Sequence, residues 1–195
     1  MTSKERFQRT FEHKEADRVT MWDFPWEGTM NRWRREGMPA NVTYDDYFDV
    51  DRVSRIIVDN SPRYPIEKIS EDDTTVISKT EWGGIRRDFK DHDSVPDYLE
   101  FEIKDWDTWN EAKARITPSP DRVPWDYLAA NYKRWRNEGH WILGDTYFAF
   151  NQITAYVMDM ERFMIFMAED PELCTDMLEH ILKGRNPAEN FCLRR

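Results

Sequence analysis

The sequence predicts an α/β fold with a parallel sheet and an inserted antiparallel hairpin. Three short apolar strands, at residues 18–24, 56–58 and 140–144, are separated along the chain by amphipathic helical segments. Residues 63–90 instead alternate apolar and polar side chains, as half-solvated antiparallel strands do. The order of strands and helices is typical of a parallel sheet whose connections are helical.

Helices are predicted where apolar residues recur every three or four positions between capping and stop signals. In the first helix, Thr2 or Ser3 can cap the N-terminus, and Phe7 and Phe11 lie on one face. Gly37 is the stop signal of the second helix. The predicted helices span residues 2–13, 26–37, 105–116, 125–139, 150–158, 160–168 and 171–183.

Turn residues end the remaining strands. The second strand, residues 56–58, is followed by the turn sequence Asp59-Asn60-Ser61-Pro62. Within residues 63–90, turn chemistry occurs at residues 71–73 and at Gly83-Gly84, which indicates an antiparallel hairpin or meander.

Composition and charge exclude several classes of partner. The net charge of −10 and the pI near 5.0 argue against nucleic acid and against an anionic membrane surface. The apolar runs are too short to span a bilayer, and the first residues lack the apolar core of a signal peptide. Cys174 and Cys192 form neither a disulfide framework nor a metal-ligand spacing. We therefore expect a cytoplasmic protein whose partner is a small-molecule substrate.

Several longer stretches resemble one enzyme family. The opening TSKERFQRTFEHKEADRVTMW is similar to that of the uroporphyrinogen decarboxylase superfamily, especially its decarboxylase-like bacterial branch. The resemblance continues through TEWGGIRRDFK, VPDYLEFEIKDWDTWNEAKARI and WILGDTYFAFNQITAYVMDMERFMIFMAEDPEL, to about Leu182. It implies a cytoplasmic, often dimeric (β/α)8 TIM barrel. The family includes cofactor-free lyases of porphyrin biosynthesis and methyltransferases that use zinc and a corrinoid.

The resemblance also implies that the barrel is partial. A (β/α)8 barrel typically needs about 250 residues, whereas this chain has 195. Residues 1–183 would supply about the first three barrel strands, their helices and the inserted hairpin. Residues 184–195, GRNPAENFCLRR, look unlike the family's continuation. We expect an apparently truncated barrel with a frameshifted or disordered tail, inactive by itself.

Candidate functional residues follow the three predicted parallel strands, because active sites of such barrels lie at the C-terminal ends of strands. This rule selects Trp22-Asp23-Phe24, Asp59-Asn60 and Asp145-Thr146-Tyr147. Asp59 is the strongest candidate, since it follows an apolar strand directly. The alternative is a turn aspartate that caps the bend at residues 60–62.

The resemblance assigns roles to two of the residues. In the decarboxylases, the aspartate that matches Asp59 faces the pyrrole nitrogens and stabilises the protonated ring that forms as carbon dioxide leaves. Tyr156 matches a tyrosine beside the substrate carboxylate, and its hydroxyl could hold Asp59. The alternative for Tyr156 is a core tyrosine on an amphipathic helix.

The first strand departs from the family pattern. Porphyrinogen decarboxylases carry an Arg-Gln-x-x-Gly-Arg motif after this strand, because a substrate with eight carboxylates needs guanidinium groups. Here the stretch is DFPWEGTMNRWRREG. Trp22, Asp23 and Trp26 could form a different pocket wall, or the tryptophans could serve packing alone.

Three hypotheses remain open. The first is a decarboxylase-like enzyme that requires no cofactor. The second is a zinc-dependent corrinoid methyltransferase-like protein; its metal ligands are not expected among the scattered histidines of this chain. The third is a non-enzymatic half-barrel that pairs its open sheet with a second copy or another partner.

Overall fold

The computed structural model describes residues 1–92, 95–146 and 149–192, without the side chains of 149 and 183–192. The chain forms two units. Unit 1 comprises Met1–Ile57 and Pro124–Asp145, and unit 2 comprises Val58–Val123 and Thr146–Arg195. The prediction of a mixed α/β chain with parallel and antiparallel strands is confirmed. The sheets of the described residues do not close into a barrel.

Unit 1 contains a two-stranded parallel sheet and four helices. The strands are β1 (Val53–Ile57) and β6 (Trp141–Asp145), and their register pairs Val53 with Trp141 and Ile57 with Asp145. The helices are α1 (Ser3–Phe11), α2 (Glu27–Arg35), α3 (Tyr44–Tyr47) and α5 (Trp125–Asn137).

Helix α1 packs on β6. Thr2 caps the helix, and with Glu5 it forms a capping box. The rings of Phe7 and Phe11 lie 5.4 and 5.5 Å from the ring of Trp141. The predicted face of this helix therefore contacts the sheet through aromatic rings.

Buried charges hold the start of unit 1 together. Asp51 is fully buried, and its carboxylate accepts hydrogen bonds from Arg6 and from Arg18. Arg6 also binds Asp17 through Nε at 2.7 Å and Nη2 at 2.9 Å. Buried charges of this kind are stable only when paired on all sides, as they are here.

The prediction of a buried strand at residues 18–24 is wrong. Val19 is 82% exposed and Phe24 is 62% exposed, and the segment forms no strand. It is attached instead at one residue, Met21, whose N–H donates to Asp51 Oδ2 at 2.9 Å and whose carbonyl accepts from the Asp51 N–H at 2.7 Å. The Met21 N–H donates to the Asp51 side chain and not to a backbone carbonyl oxygen, so the segment does not form a ladder of backbone hydrogen bonds with the chain around Asp51.

Unit 2 contains the predicted meander. Strands β2 (Glu67–Glu71), β3 (Thr75–Lys79), β4 (Ile85–Phe89) and β5 (Asp97–Glu100) form an antiparallel sheet in chain order. The first turn is fixed by Asp72, whose Oδ1 accepts from the N–H groups of Thr74 and Thr75 at 2.7 Å.

The helices of unit 2 enclose its core. They are α4 (Trp106–Arg115), α6 (Ala149–Gln152), α7 (Met160–Glu169) and α8 (Pro171–Cys192), with a π-helical turn at Ile153–Val157. Trp109, Phe163, Leu173 and Met177 are fully buried among them. Helix α8 continues past Lys183, where it was predicted to end.

Among the described residues, no helix combines the length and the apolar character required to cross a bilayer.

Candidate functional site

Asp59 lies in a tight loop that follows β1 in the chain. Its Oδ1 accepts hydrogen bonds from Ser61, at 2.9 Å from the backbone N–H and at 2.7 Å from the hydroxyl. Its Oδ2 accepts from Arg63 Nε at 2.6 Å. The first two contacts are those of a turn-capping aspartate, one of the two roles predicted for this residue. The third adds a charge partner.

The Asp59 carboxyl is held in its ionised form. Partial burial raises its pKa, but the hydrogen bonds from Arg63 and Ser61 together outweigh burial, so the pKa is lowered from its usual value of 3.8. The side chain remains 39% exposed. The loop therefore presents a fixed anion that is open to solvent on one side.

Arg122 fastens the backbone of this loop. Its guanidinium is 7% exposed and donates to the carbonyl oxygens of Ser61 at 2.8 Å and of Asp59 at 3.1 Å. It also donates to the carbonyl oxygens of Thr117 at 2.7 Å and of Arg115 at 2.8 Å. Burial lowers the pKa of Arg122. The guanidinium group donates to four backbone carbonyl oxygens, so we expect Arg122 to fix the loop rather than to bind a ligand.

Arg63 bridges two carboxylates at the surface of unit 2. Besides Asp59 it binds Asp121 Oδ2 through Nη1 at 2.5 Å. Its backbone adopts φ of +53°, a left-handed conformation that is uncommon for a residue with a side chain. Strained backbone of this kind often occurs at functional sites. With 43% of its side chain exposed, Arg63 can leave Asp59 without unpacking a core.

A second polar contact joins the loop to Gln152, the last residue of α6, which directly precedes the π-helical turn. Asn60 Nδ2 donates to Gln152 Oε1 at 3.1 Å. Gln152 is fully buried, and its Nε2 makes no hydrogen bond in the part of the chain that the structure describes. An unpaired buried donor costs about 1–3 kcal/mol. π-helical turns frequently occur at functional sites.

Tyr156 lies within that π-helical turn and is half-buried. Its ring stacks on Trp82 with 6.4 Å between centroids, and it packs against the apolar core of unit 2. This packing agrees with the alternative role given to Tyr156 in the sequence analysis, that of a core tyrosine. The structure records no hydrogen bond between Tyr156 and Asp59 among the contacts of its described residues.

In unit 1, Asp145 is joined to a cationic partner. At the end of β6 it forms an ion pair with Arg55 of β1, and the Arg55 guanidinium lies 4.5 Å from the centre of the Phe24 ring. The Nε of Arg55 is buried and makes no hydrogen bond among the described residues. The structure thus brings together Asp145 and the segment that contains Phe24. Tyr147, two residues further along the chain, lies outside the described residues.

Trp22, Asp23 and Trp26 are exposed side chains of unit 1. Trp22 is 39% exposed and Trp26 is 50% exposed. The Asp23 carboxylate accepts from the N–H of Phe24 at 2.7 Å, and its carbonyl accepts from the Tyr44 hydroxyl at 2.7 Å. These contacts order the segment locally, and the side chains of Trp22 and Trp26 remain exposed.

No group of three or more histidine, cysteine, aspartate or glutamate side chains in the described ranges could hold a metal ion. A shallow groove with charged walls does occur in unit 1, along α1, and it includes none of the six predicted site residues.

The arginines that hold Asp59 and Asp145 in place were not predicted from the sequence. Arg122 lies in the stretch TPSPDRVP, which signalled only a break between helices, and Arg63 lies just beyond a predicted turn. Arg55 did carry a signal, since a charged residue in the middle of the apolar run VSRIIV needs a partner.

Comparison of the chain with family models, with curated proteins and with solved structures finds no match in any of the three.

Proposed function

We propose that this chain is a uroporphyrinogen decarboxylase-like protein, in which Asp59 stabilises the positive charge of a ring that is protonated before its carboxylate substituent leaves as carbon dioxide. The observation that supports the proposal is the ionised, partly exposed Asp59 carboxylate, held in place by Ser61 and Arg63. A preorganised charge of this kind stabilises a transition state without reorganisation. The wider fold would be the first strands of a (β/α)8 barrel, with β1 and β6 as two of them.

The proposed reaction needs no cofactor, because the ring itself accepts a proton and becomes the electron sink. Asp59 is the only residue to which we assign a role in this step. It would accept a hydrogen bond from the ring N–H and oppose the positive charge of the protonated ring. Arg63 would have to leave Oδ2 to make room for that N–H, and its exposed position permits the movement.

The substrate would carry fewer carboxylates than uroporphyrinogen. The arginines nearest to the two sites are already paired with the protein: Arg122 with four carbonyl oxygens, Arg63 with two carboxylates and Arg55 with Asp145. A substrate with eight carboxylates needs free guanidinium groups.

Calorimetric titration under anaerobic conditions tests this proposal, with coproporphyrinogen and uroporphyrinogen as ligands. We expect coproporphyrinogen to bind more tightly, and Asp59→Asn to weaken its binding at least about tenfold. Asp73→Asn is the matched control, since it removes the same charge from the turn between β2 and β3. Absence of binding, or equal binding by both variants, would overturn the proposal.

A second candidate is a non-enzymatic protein that binds a partner through the open parallel sheet. It is favoured by the two-stranded sheet of unit 1 and by the exposed side chains of Val19, Phe24 and Trp26. Such edges and patches tend to pair with another chain. Light scattering tests this candidate: self-association reduced by Phe24→Gln supports it, and a monomer at all concentrations contradicts it.

A further inference from the structure

Helix α7 carries large apolar side chains that remain exposed among the described residues. Phe163 points into the core and is fully buried. Met160, Met164 and Met167 follow one another at spacings of four and three residues, which places them on one face of the helix. They are 52%, 53% and 50% exposed.

The preceding helix adds an exposed aromatic ring. Phe150 of α6 is 41% exposed, and its ring packs edge-on against Phe163 with 5.4 Å between centroids. Ile165, on the outer side of α7, is 47% exposed. We call Phe150, Met160, Met164, Ile165 and Met167 the methionine face. Large apolar side chains that remain exposed together often mark an interaction surface.

Unpaired negative charge accompanies the methionine face. Glu161 and Glu169 are exposed residues of α7, and neither forms an ion pair with any described residue. The cation on the same helix, Arg162, lies within hydrogen-bonding distance of the Lys104 carbonyl oxygen, at 3.4 Å. The surface therefore combines flexible apolar side chains with uncompensated carboxylates.

We propose that the methionine face binds a basic amphipathic helix of a partner protein. The thioether side chains adapt to the apolar face of such a helix, as methionine does at adaptable binding surfaces. Glu161 lies three residues from Met164 and Glu169 four residues from Ile165, so each can pair with a lysine or arginine residue beside the apolar face of the partner helix. This binding site is separate from Asp59 and does not depend on the proposed reaction.

The same charges disfavour other occupants. If two copies of the chain paired through α7, the glutamates of one copy would lie against those of the other, and like charges destabilise such a contact. An anionic lipid surface would be repelled by them for the same reason.

The test uses the full chain and a fluorescent synthetic peptide of about 18 residues, built from leucine and lysine in a helical amphipathic pattern. Anisotropy gives the Kd for the wild type and for the triple variant Met160→Gln, Met164→Gln, Met167→Gln, which keeps the net charge. The matched control is Val19→Gln, Ile66→Gln, Val95→Gln, at positions 82%, 71% and 72% exposed. A peptide with glutamate in place of lysine tests the sign of the charge. Circular dichroism checks that each variant is folded.

We expect the methionine variant to bind at least about tenfold more weakly than the wild type and the control. Glu161→Gln with Glu169→Gln should weaken binding and reduce its dependence on salt. With labelled methionine ε-methyl groups, the peptide should shift the signals of Met160, Met164 and Met167 among the nine methionines. Equal binding by the methionine variant, equal binding of the acidic peptide, or self-association that only the methionine variant abolishes would overturn the proposal.

Discussion

Arg122 and Asp59 bind each other through their backbones as well as through a side chain. The Asp59 N–H donates to the Arg122 carbonyl oxygen at 2.9 Å, and Arg122 Nη1 donates to the Asp59 carbonyl oxygen at 3.1 Å. These two bonds close a contact between residues that lie 63 positions apart in the sequence. The candidate carboxylate is thereby fixed by a part of the chain that the sequence marks only as a helix break.

The first prediction concerns the stability that Arg122 provides. Arg122→Ala removes four hydrogen bonds to carbonyl oxygens and should lower the free energy of unfolding by about 3 kcal/mol. Arg122→Lys keeps the charge but not the planar guanidinium, so it should also destabilise, though less. Urea denaturation measures both effects.

An exposed arginine provides the control for this experiment. Arg134, 56% exposed, pairs with Glu138 at 3.4 Å, and Arg134→Ala should cost less than about 0.5 kcal/mol. Equal effects at Arg122 and Arg134 would show that the buried guanidinium does not hold the loop.

The second prediction separates steric contact from backbone strain at two glycines. Gly83 and Gly37 both have positive φ, +82° and +120°. A Cβ at Gly83 would lie 2.6 Å from Glu102 Cβ, whereas one at Gly37 would meet nothing within 4 Å. Gly37→Ala should therefore cost about 1 kcal/mol from backbone strain, and Gly83→Ala about 3 kcal/mol from strain and clash. Thermal unfolding of the two variants gives the difference, and equal costs would contradict the close approach at Gly83.

The third prediction concerns pH and His140. This side chain accepts or donates at Ser54 Oγ through Nδ1 at 2.8 Å, and burial lowers its pKa from the usual 6.5, although Glu138 opposes the effect. The unfolded chain then binds the proton more readily than the folded one. Stability attributable to His140 is therefore fully present above about pH 6.5 and is lost as the pH falls toward the lower folded pKa.

Urea unfolding at about pH 7.5 and about pH 5.5 measures this loss. We expect the wild type to lose more stability than His140→Gln, which cannot titrate but keeps a polar group for Ser54. The other histidines are the same in both proteins and cancel in the comparison. An equal loss in both proteins would show that His140 does not titrate in this way.

Local signals predicted much of the fold. Thr2 caps α1 as expected, α4 lies within the predicted range 105–116, and alternation with turn residues predicted the meander of β2 to β5. The segment 18–24 was predicted wrongly because apolar content alone does not make a strand. A strand also needs a partner edge, and here Asp51 supplies only one residue of pairing.

The candidate site was predictable only in part, for the same reason. Asp59 was selected by its place after an apolar run, and its contact with Ser61 follows from the local sequence. Arg122 and Gln152 reach the loop through tertiary contacts over long sequence separations. No local pattern specifies such contacts.

The most direct test of the account is the ionisation state of Asp59. The carbonyl signal of the carboxyl group, labelled with carbon-13 and assigned through Asp59→Asn, reports this state during an acid titration. The lowered pKa predicts that Asp59 is still mainly ionised at pH 3.8, its usual midpoint, and that Arg63→Ala moves the midpoint upward. If Asp59 is already mainly protonated at pH 3.8, it is not the fixed anion that the proposed chemistry requires.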